Sequence, residues 1–171
     1  MNIHHFNCVE IQSPGYGRAI GHCLLLETAQ QLILIDAGIG LMDTQKPFAR
    51  IGEQLIDIVG FKFNEQWTAI KRIEKLGLNP ANVTDCIISH LDPDHIGRLA
   101  DFPNAKVHLG IEEYENFKSG NPRYLSHHIG DAYYLKAELT DNTLPVNELA
   151  TMRADDNEMR IVTLNNPKFY C

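Results

Sequence analysis

Residues 89–97 constrain this chain more than any other stretch of its sequence. They read Ser-His-Leu-Asp-Pro-Asp-His-Ile-Gly and place two imidazoles and two carboxylates within six consecutive positions, from His90 to His95. The apolar run before them, residues 85–88, predicts a short buried strand, and the proline and glycine that follow predict a loop. A loop that leaves a rigid strand can hold several side chains around one point, as a metal or catalytic site requires.

The four polar side chains of this segment, His90, Asp92, Asp94 and His95, are candidate metal ligands. Neutral imidazole and carboxylate suit Zn, Mn or Fe rather than Cu or soft clusters. Four such groups exceed what one ion usually takes from a single loop, so we expect two neighbouring ions, each with two ligands from this segment. Two such ions, roughly 3.5–4 Å apart, activate a water and hold a substrate oxygen, and Asp94 would then take part in proton transfer.

The backbone conformation of the segment decides which of these side chains meet. In extended backbone, His90, Asp92 and Asp94 would project to one face, and His95 would approach from the other side as the chain turns. The alternative interpretation is an acidic turn whose histidines only cap a helix, because short motifs carry a risk of false matches.

Three separated motifs resemble those of the metallo-β-lactamase-fold hydrolases, and they occur in that family's order. They are the strand-Asp-Gly turn of residues 32–38, the helix, loop and strand of residues 76–95, and the segment 99–108. The loop resembles the family pattern His-x-His-x-Asp-His, with Asp92 in place of the second histidine and Arg98 in place of a following glycine. The resemblance covers about residues 20–118.

This resemblance implies an α/β (α+β) fold, a four-layer αββα sandwich. It implies hydrolysis of an ester, lactone, thioester or amide by metal-bound hydroxide, with His90, Asp92, Asp94 and His95 as metal ligands and Asp94 as the catalytic residue. Full-length relatives hold two zinc ions, and the carboxylate of Asp92 leaves iron or manganese open because it favours harder metals. The alternative is a catalytically inactive half-domain or a non-catalytic metal-binding protein.

The last part of the sequence departs from the family. Residues 159–164 resemble the strand before a later histidine-bearing turn, but residues 165–171 follow without that turn. We therefore expect residues 1–171 to form a single incomplete domain, the N-terminal half of the sandwich plus part of its second sheet. An uncovered apolar sheet face would then favour self-association. His127 and His128 are candidate replacement ligands, although adjacent side chains tend to point apart.

Composition narrows the partners. The formal net charge is −7 and no basic cluster is present, which disfavours nucleic acid and leaves a small molecule as the expected substrate. No run approaches about 18 apolar residues, so no membrane span is expected. The N-terminus lacks a signal-like pattern and the four cysteines are widely spaced, which predicts reduced thiols and a cytoplasmic location.

Hydrophobic patterns predict strands at residues 3–12 and 22–28, a hairpin of residues 24–27 with 32–35, and a strand at 106–109. They predict helices near 48–59, over 65–76 with Asn64 as N-cap and Trp67 in the core, and over 111–118. Asp36 follows the second hairpin strand and has two interpretations. It orients a ligating histidine from outside the metal shell, or it is a turn residue that binds its own backbone.

Overall fold

The computed structural model describes residues 1–97 and 99–110, the single positions Glu113, Glu115 and Ser119, and the backbone of two later strands. Eight strands form one sheet in the order β4-β1-β2-β3-β5-β6-β7-β8. Their bounds are β1 Asn2–Ser13, β2 Gly17–Glu27, β3 Leu32–Ile35, β4 Phe61–Lys62, β5 Val83–Ile88, β6 Lys106–Gly110, β7 Leu149–Met152 and β8 Arg160–Ile161.

Within residues 1–97 and 99–110, five short α-helices lie between these strands. They are α1 Leu41–Gln45, α2 Pro47–Arg50, α3 Glu53–Val59, α4 Ala69–Lys75 and α5 Pro93–Ile96, and 3-10 turns occur at Glu65–Trp67, Pro80–Asn82 and Leu99–Asp101. The described residues thus have the mixed α/β class that the sequence predicts. None of their helices is long and apolar enough to cross a bilayer.

The sheet is mixed, and its parallel part positions the candidate site. β1, β2 and β3 are antiparallel neighbours, as the predicted hairpin requires, whereas β3, β5 and β6 run parallel. The carboxyl ends of β3 and β5 therefore meet at one edge of the sheet. Asp36 follows β3 there and Ser89 follows β5, so residues far apart in sequence become neighbours.

One face of the sheet carries the core. A row of apolar side chains crosses four strands in register, from Leu25 through Leu34 and Cys86 to Val107, and all four are buried. Each fully buried aliphatic side chain contributes about 1.5–3 kcal/mol through removal of apolar surface from water. The opposite face is less covered, since residues such as Ile35 are only half-buried.

The buried cysteines behave as the sequence predicts. Cys8, Cys23 and Cys86 are free thiols inside the core. Burial raises the pKa of the Cys86 thiol well above its usual range. The hydrogen bond between the Cys23 and Cys8 side chains, together with burial, raises the pKa of the Cys23 thiol. The Cys23 and Cys86 thiols are therefore neutral hydrophobic groups at physiological pH.

Two predicted helices are interrupted. The helix predicted over 65–76 is a 3-10 turn followed by α4, because Thr68 has extended backbone and its hydroxyl donates to the Glu65 carbonyl oxygen at 2.8 Å. Asn64 caps the turn as predicted, since its Oδ1 accepts from Gln66 N at 2.9 Å. The helix predicted near 48–59 divides into α2 and α3 at Gly52, whose φ is +89°.

Other predictions have mixed outcomes. β2 begins at Gly17 rather than at residue 22, directly after a turn at residues 14–16. Trp67 is half-buried and not in the fully buried core. The predicted strand at 159–164 is present over Arg160–Ile161. The helix predicted over 111–118, apart from Glu113 and Glu115, lies outside the described residues, as do Arg98, His127, His128 and Cys171.

Candidate metal centre

The turn after β3 is locked against the loop after β5. The Asp36 N–H donates to the Ile87 carbonyl oxygen at 2.8 Å, and the Ala37 N–H donates to the His95 carbonyl oxygen at 2.7 Å. Asp36 has a φ of +55°, a left-handed conformation that aspartate tolerates better than most residues. Gly38 follows with a φ of +72°, and a Cβ there would lie 2.3 Å from the Cβ of Cys8, so only glycine fits.

The Asp36 carboxylate joins the two loops. Its Oδ1 accepts from the Ser89 N–H at 2.8 Å, and its Oδ2 accepts from the Ser89 hydroxyl at 2.8 Å. The same Oδ2 lies 3.0 Å from Nδ1 of His95. One interpretation of Asp36 is that it orients a ligating histidine, and this interpretation requires a contact to such a histidine. The structure has that contact, to His95.

The two histidines are held through their Nδ1 atoms. The Ser89 hydroxyl gives its one hydrogen to Asp36, so it accepts from Nδ1 of His90, which lies 2.9 Å away. The carboxylate of Asp36 likewise accepts from Nδ1 of His95. With Nδ1 held in this way, Nε2 is the nitrogen of each ring that is left to bind a metal.

Each Nε2 faces a carboxylate of the same segment. His90 Nε2 lies 3.4 Å from Asp92 Oδ2, and His95 Nε2 lies 3.5 Å from Asp94 Oδ2. The two rings are neighbours, with centroids 3.9 Å apart and planes tilted by 44°. The structure therefore brings all four sequence-predicted residues together as two histidine–carboxylate pairs.

The predicted face-sharing of His90, Asp92 and Asp94 is wrong in its backbone geometry. The segment is extended only to Asp92, which has a φ of −77° and a ψ of 147° and is the N-cap of α5. Pro93 occupies the first position of α5, where its missing N–H costs nothing, and the chain is helical from there. The side chains of Asp94 and His95 consequently project from a helical turn, and this turn places His95 Nε2 near the Asp94 carboxylate.

Burial and charge compete at the second pair. Burial raises the pKa of Asp94, although the neighbouring His95 partly offsets this effect. Burial alone would lower the pKa of His95, but the hydrogen bond to Asp36 and the charge of Asp94 outweigh it and raise that pKa.

The donor set fits a metal ion in its chemistry. Imidazole nitrogen and carboxylate oxygen are ligands of Zn, Mn and Fe, and the Nε2 atom of each histidine lies near a carboxylate oxygen. Within residues 1–97 and 99–110, no three His, Cys, Asp or Glu side chains enclose a metal position as they stand. This part of the chain supplies two donor pairs and no closed shell.

Two residues of the site carry no role in the sequence analysis. Ser89 bridges Asp36 and His90, and its position at the end of a strand parallel to β3 is the signal that could have identified it. Glu113 accepts from the Leu91 N–H through Oε1 at 2.9 Å and so holds the loop from a third side. Nothing in the sequence pattern points to Glu113.

Comparison with known proteins identifies the family of this chain. The family model of the metallo-beta-lactamase superfamily matches residues 16–144. The chain belongs to that superfamily. The match includes β3, β5 and the loop that carries the histidine–carboxylate pairs.

Individual relatives are similar over part of their length. A probable metallo-hydrolase of Mycobacterium tuberculosis is 35% identical over 113 residues, which are 66% of this chain and 36% of that protein. A probable metal-dependent hydrolase of Staphylococcus aureus has a similar structure, with a TM-score of 0.61 and 18% identity over 90% of this chain and 69% of that chain.

A second similar structure is an N-acyl homoserine lactone hydrolase, solved with its product at the catalytic metal centre. Its TM-score is 0.56 and its identity 22%, over 68% of this chain and 51% of that chain. These structures confirm the metallo-β-lactamase fold. This chain spans about a third of the length of the curated relatives that it matches.

Proposed function

We propose that this chain carries the metal-binding loop of a hydrolase that cleaves an ester, lactone, thioester or amide, with His90, Asp92, Asp94 and His95 as ligands. The observation that supports the proposal most is the state of the two imidazoles. Both Nδ1 atoms donate to neighbours, and both Nε2 atoms face a carboxylate. This arrangement leaves Nε2 of both rings as the nitrogen available to a metal, beside a carboxylate that can share it.

Two zinc ions, or iron or manganese, fit the donor set, each ion taking one histidine–carboxylate pair. A bound ion of this kind lowers the pKa of water toward about 7 and polarises a carbonyl oxygen. Asp36 and Ser89 orient the two rings through hydrogen bonds that do not occupy Nε2. Asp94 is the candidate for proton transfer, because it lies beside His95 in a site where burial penalises its charge.

Lactones are the first substrates to test, because one similar structure is a lactone hydrolase and a lactone carbonyl is the kind of group such a site polarises. Neighbours of this kind take small molecules, and the net charge of −7 favours a small-molecule substrate over nucleic acid.

The experiment measures metal content by elemental analysis, then hydrolysis of a panel of lactones, esters, thioesters and amides with added Zn or Mn. The test variants are His90→Ala and Asp94→Ala. The matched controls are His5→Ala and Asp57→Ala, which change exposed residues of the same types on β1 and α3.

We expect both test variants to lose metal and both controls to keep it. Asp94→Ala should also lower kcat by at least about 100-fold, the scale at which general acid–base catalysis contributes. Metal uptake without hydrolysis of any panel member would favour the non-catalytic metal-binding alternative. A chain that binds no metal after reconstitution would overturn the proposal.

A further inference from the structure

A cleft lies beside the hairpin formed by β1 and β2, outside the histidine–carboxylate pairs. Its volume is about 420 Å³, within the range of roughly 300–1,000 Å³ that small-molecule sites occupy. Val9, Ala19 and Ile20 from β1 and β2 supply apolar walls, and Trp67 and Arg72 line it from the 3-10 turn and α4. An aromatic ring and a guanidinium thus share one concave surface.

The guanidinium of Arg72 has an unsatisfied donor. Its Nε is buried and has no hydrogen-bond partner among the described residues. A buried donor left without an acceptor costs about 1–3 kcal/mol, so proteins rarely keep one without a reason. The neighbouring Lys71 differs, because its Nζ donates to Glu74 Oε2 at 2.9 Å.

The charges around the cleft leave a positive balance. Glu10 is the carboxylate among its described lining residues, and it binds Arg18 at 2.5 Å. Arg18 neutralises Glu10, so the charge of Arg72 remains for a ligand. Arginine suits a carboxylate because its planar fork of donors matches the two oxygens.

We propose that this cleft binds a small organic carboxylate. Arg72 donates to the carboxylate, and Trp67 with the aliphatic side chains of Val9 and Ile20 covers its apolar body. Planar or aliphatic bodies both suit an aromatic wall, whereas a bare inorganic anion would leave that wall uncovered.

The cleft is separate from the candidate metal centre but adjoins it. Val9 lines the cleft, and a Cβ placed on Gly21 would lie 2.4 Å from Val9 Cγ1 and 3.5 Å from the carbonyl oxygen of Asp94. The hairpin at Val9 and Gly21 is therefore the wall between them. Binding in the cleft needs no metal, so this proposal stands or falls independently of the proposed hydrolysis.

Trp67 is the single tryptophan of the chain, so its fluorescence reports on this cleft directly. The experiment titrates the full chain, in EDTA and at constant ionic strength, with cyclohexanecarboxylate. The parallel titrations use cyclohexanemethanol, which has the same body without the charge, and inorganic phosphate, which has charge without the body. None of the three probes absorbs where tryptophan is excited.

We expect a saturable fluorescence change with the carboxylate only. Arg72→Gln should weaken it by about tenfold or more, the effect of a charge-assisted hydrogen bond. Lys75→Gln, which removes one positive charge from the exposed side of the same helix, should leave it unchanged. Circular dichroism of each variant checks that the fold is kept.

Three outcomes would overturn the proposal. The first is the absence of a saturable change with the carboxylate in the wild-type chain. The second is equal binding of the alcohol or of phosphate, which would show that only the body or only the charge is recognised. The third is unchanged carboxylate binding by a folded Arg72→Gln variant.

Discussion

Two aspartate–histidine pairs are built alike: one joins the turn after β3 to α5, and the other joins β5 to β6. Asp36 lies 3.0 Å from His95, and Asp85 lies 2.8 Å from His108. Each aspartate also accepts from a hydroxyl of the β5 segment, Asp36 from the Ser89 side chain and Asp85 from that of Thr84 at 2.6 Å. The two pairs differ in the imidazole nitrogen that the aspartate binds.

That difference decides what each histidine can do. Asp36 binds Nδ1 of His95, so Nε2 remains to face Asp94. Asp85 binds Nε2 of His108 itself, and the His108 ring is buried in the sheet. The first pair orients a candidate ligand, whereas the His108 ring is buried in the sheet and its hydrogen bond to Asp85 is structural. An aspartate–histidine pair of this kind serves a metal site when the second ring nitrogen also faces an open position.

The largest effect expected in this comparison comes from Asp36→Asn. The asparagine amide has one oxygen where the carboxylate has two, so the Ser89 contacts and the orientation of His95 cannot all persist. Loss of a ligand-orienting partner typically lowers metal affinity by about 10–100-fold. Titration of the apo chain with Zn measures it, and Asp85→Asn is the matched control with unchanged affinity. Equal affinities of the two variants would remove the proposed distinction.

Asp85→Asn should instead lower the free energy of unfolding. It weakens a buried hydrogen bond to His108 and leaves a polar ring nitrogen without its charged partner, at a cost of about 1–3 kcal/mol. Urea unfolding followed by circular dichroism measures the change. A loss of metal content in this variant would mean that the second pair also serves the metal centre.

The two hydroxyl residues sharpen the same contrast at smaller scale. Ser89→Ala removes the hydrogen-bond acceptor of His90 Nδ1 and one donor to Asp36. Metal affinity should therefore fall several-fold, and the free energy of unfolding should fall by about 1 kcal/mol. Thr84→Val removes the donor to Asp85 and should change stability alone. The two variants compared in one metal titration and one urea series separate the roles.

The smallest effect expected is a dependence of the free energy of unfolding on acid pH, and it comes from Asp85 of the Asp85–His108 pair. Burial opposes ionisation of Asp85, but the hydrogen bonds from His108 and Thr84 outweigh it and lower the pKa of the carboxyl group. The unfolded chain then binds more protons than the folded one just below the ordinary carboxyl pKa of about 3.9. Stability from this group is present above that value and is lost as pH falls through the folded pKa.

Urea midpoints measured from about pH 5 down to about pH 2 should therefore fall less steeply for Asp85→Asn than for the wild type. An identical slope for the two proteins would show that this carboxyl group does not contribute to acid unfolding.

The sequence alone identified the four polar residues of the loop, the hairpin, the strand before the loop and the superfamily. These features are local, because strand periodicity, turn residues and ligand spacing are written in consecutive positions. It did not predict the break at Thr68, where a side-chain hydrogen bond overrides helix propensity. Nor did it predict that α5 begins at Pro93 inside the ligand segment.

Only the tertiary structure decided which nitrogen of each histidine is free. Asp36 and Ser89 are 53 residues apart in sequence and meet because β3 and β5 are parallel neighbours whose ends coincide. The same parallel pairing places Asp36 against Nδ1 of His95. The neighbouring parallel pairing of β5 with β6 places Asp85 against Nε2 of His108. The sequence contains both aspartates and both histidines, but the distances between their atoms exist only once the sheet has formed.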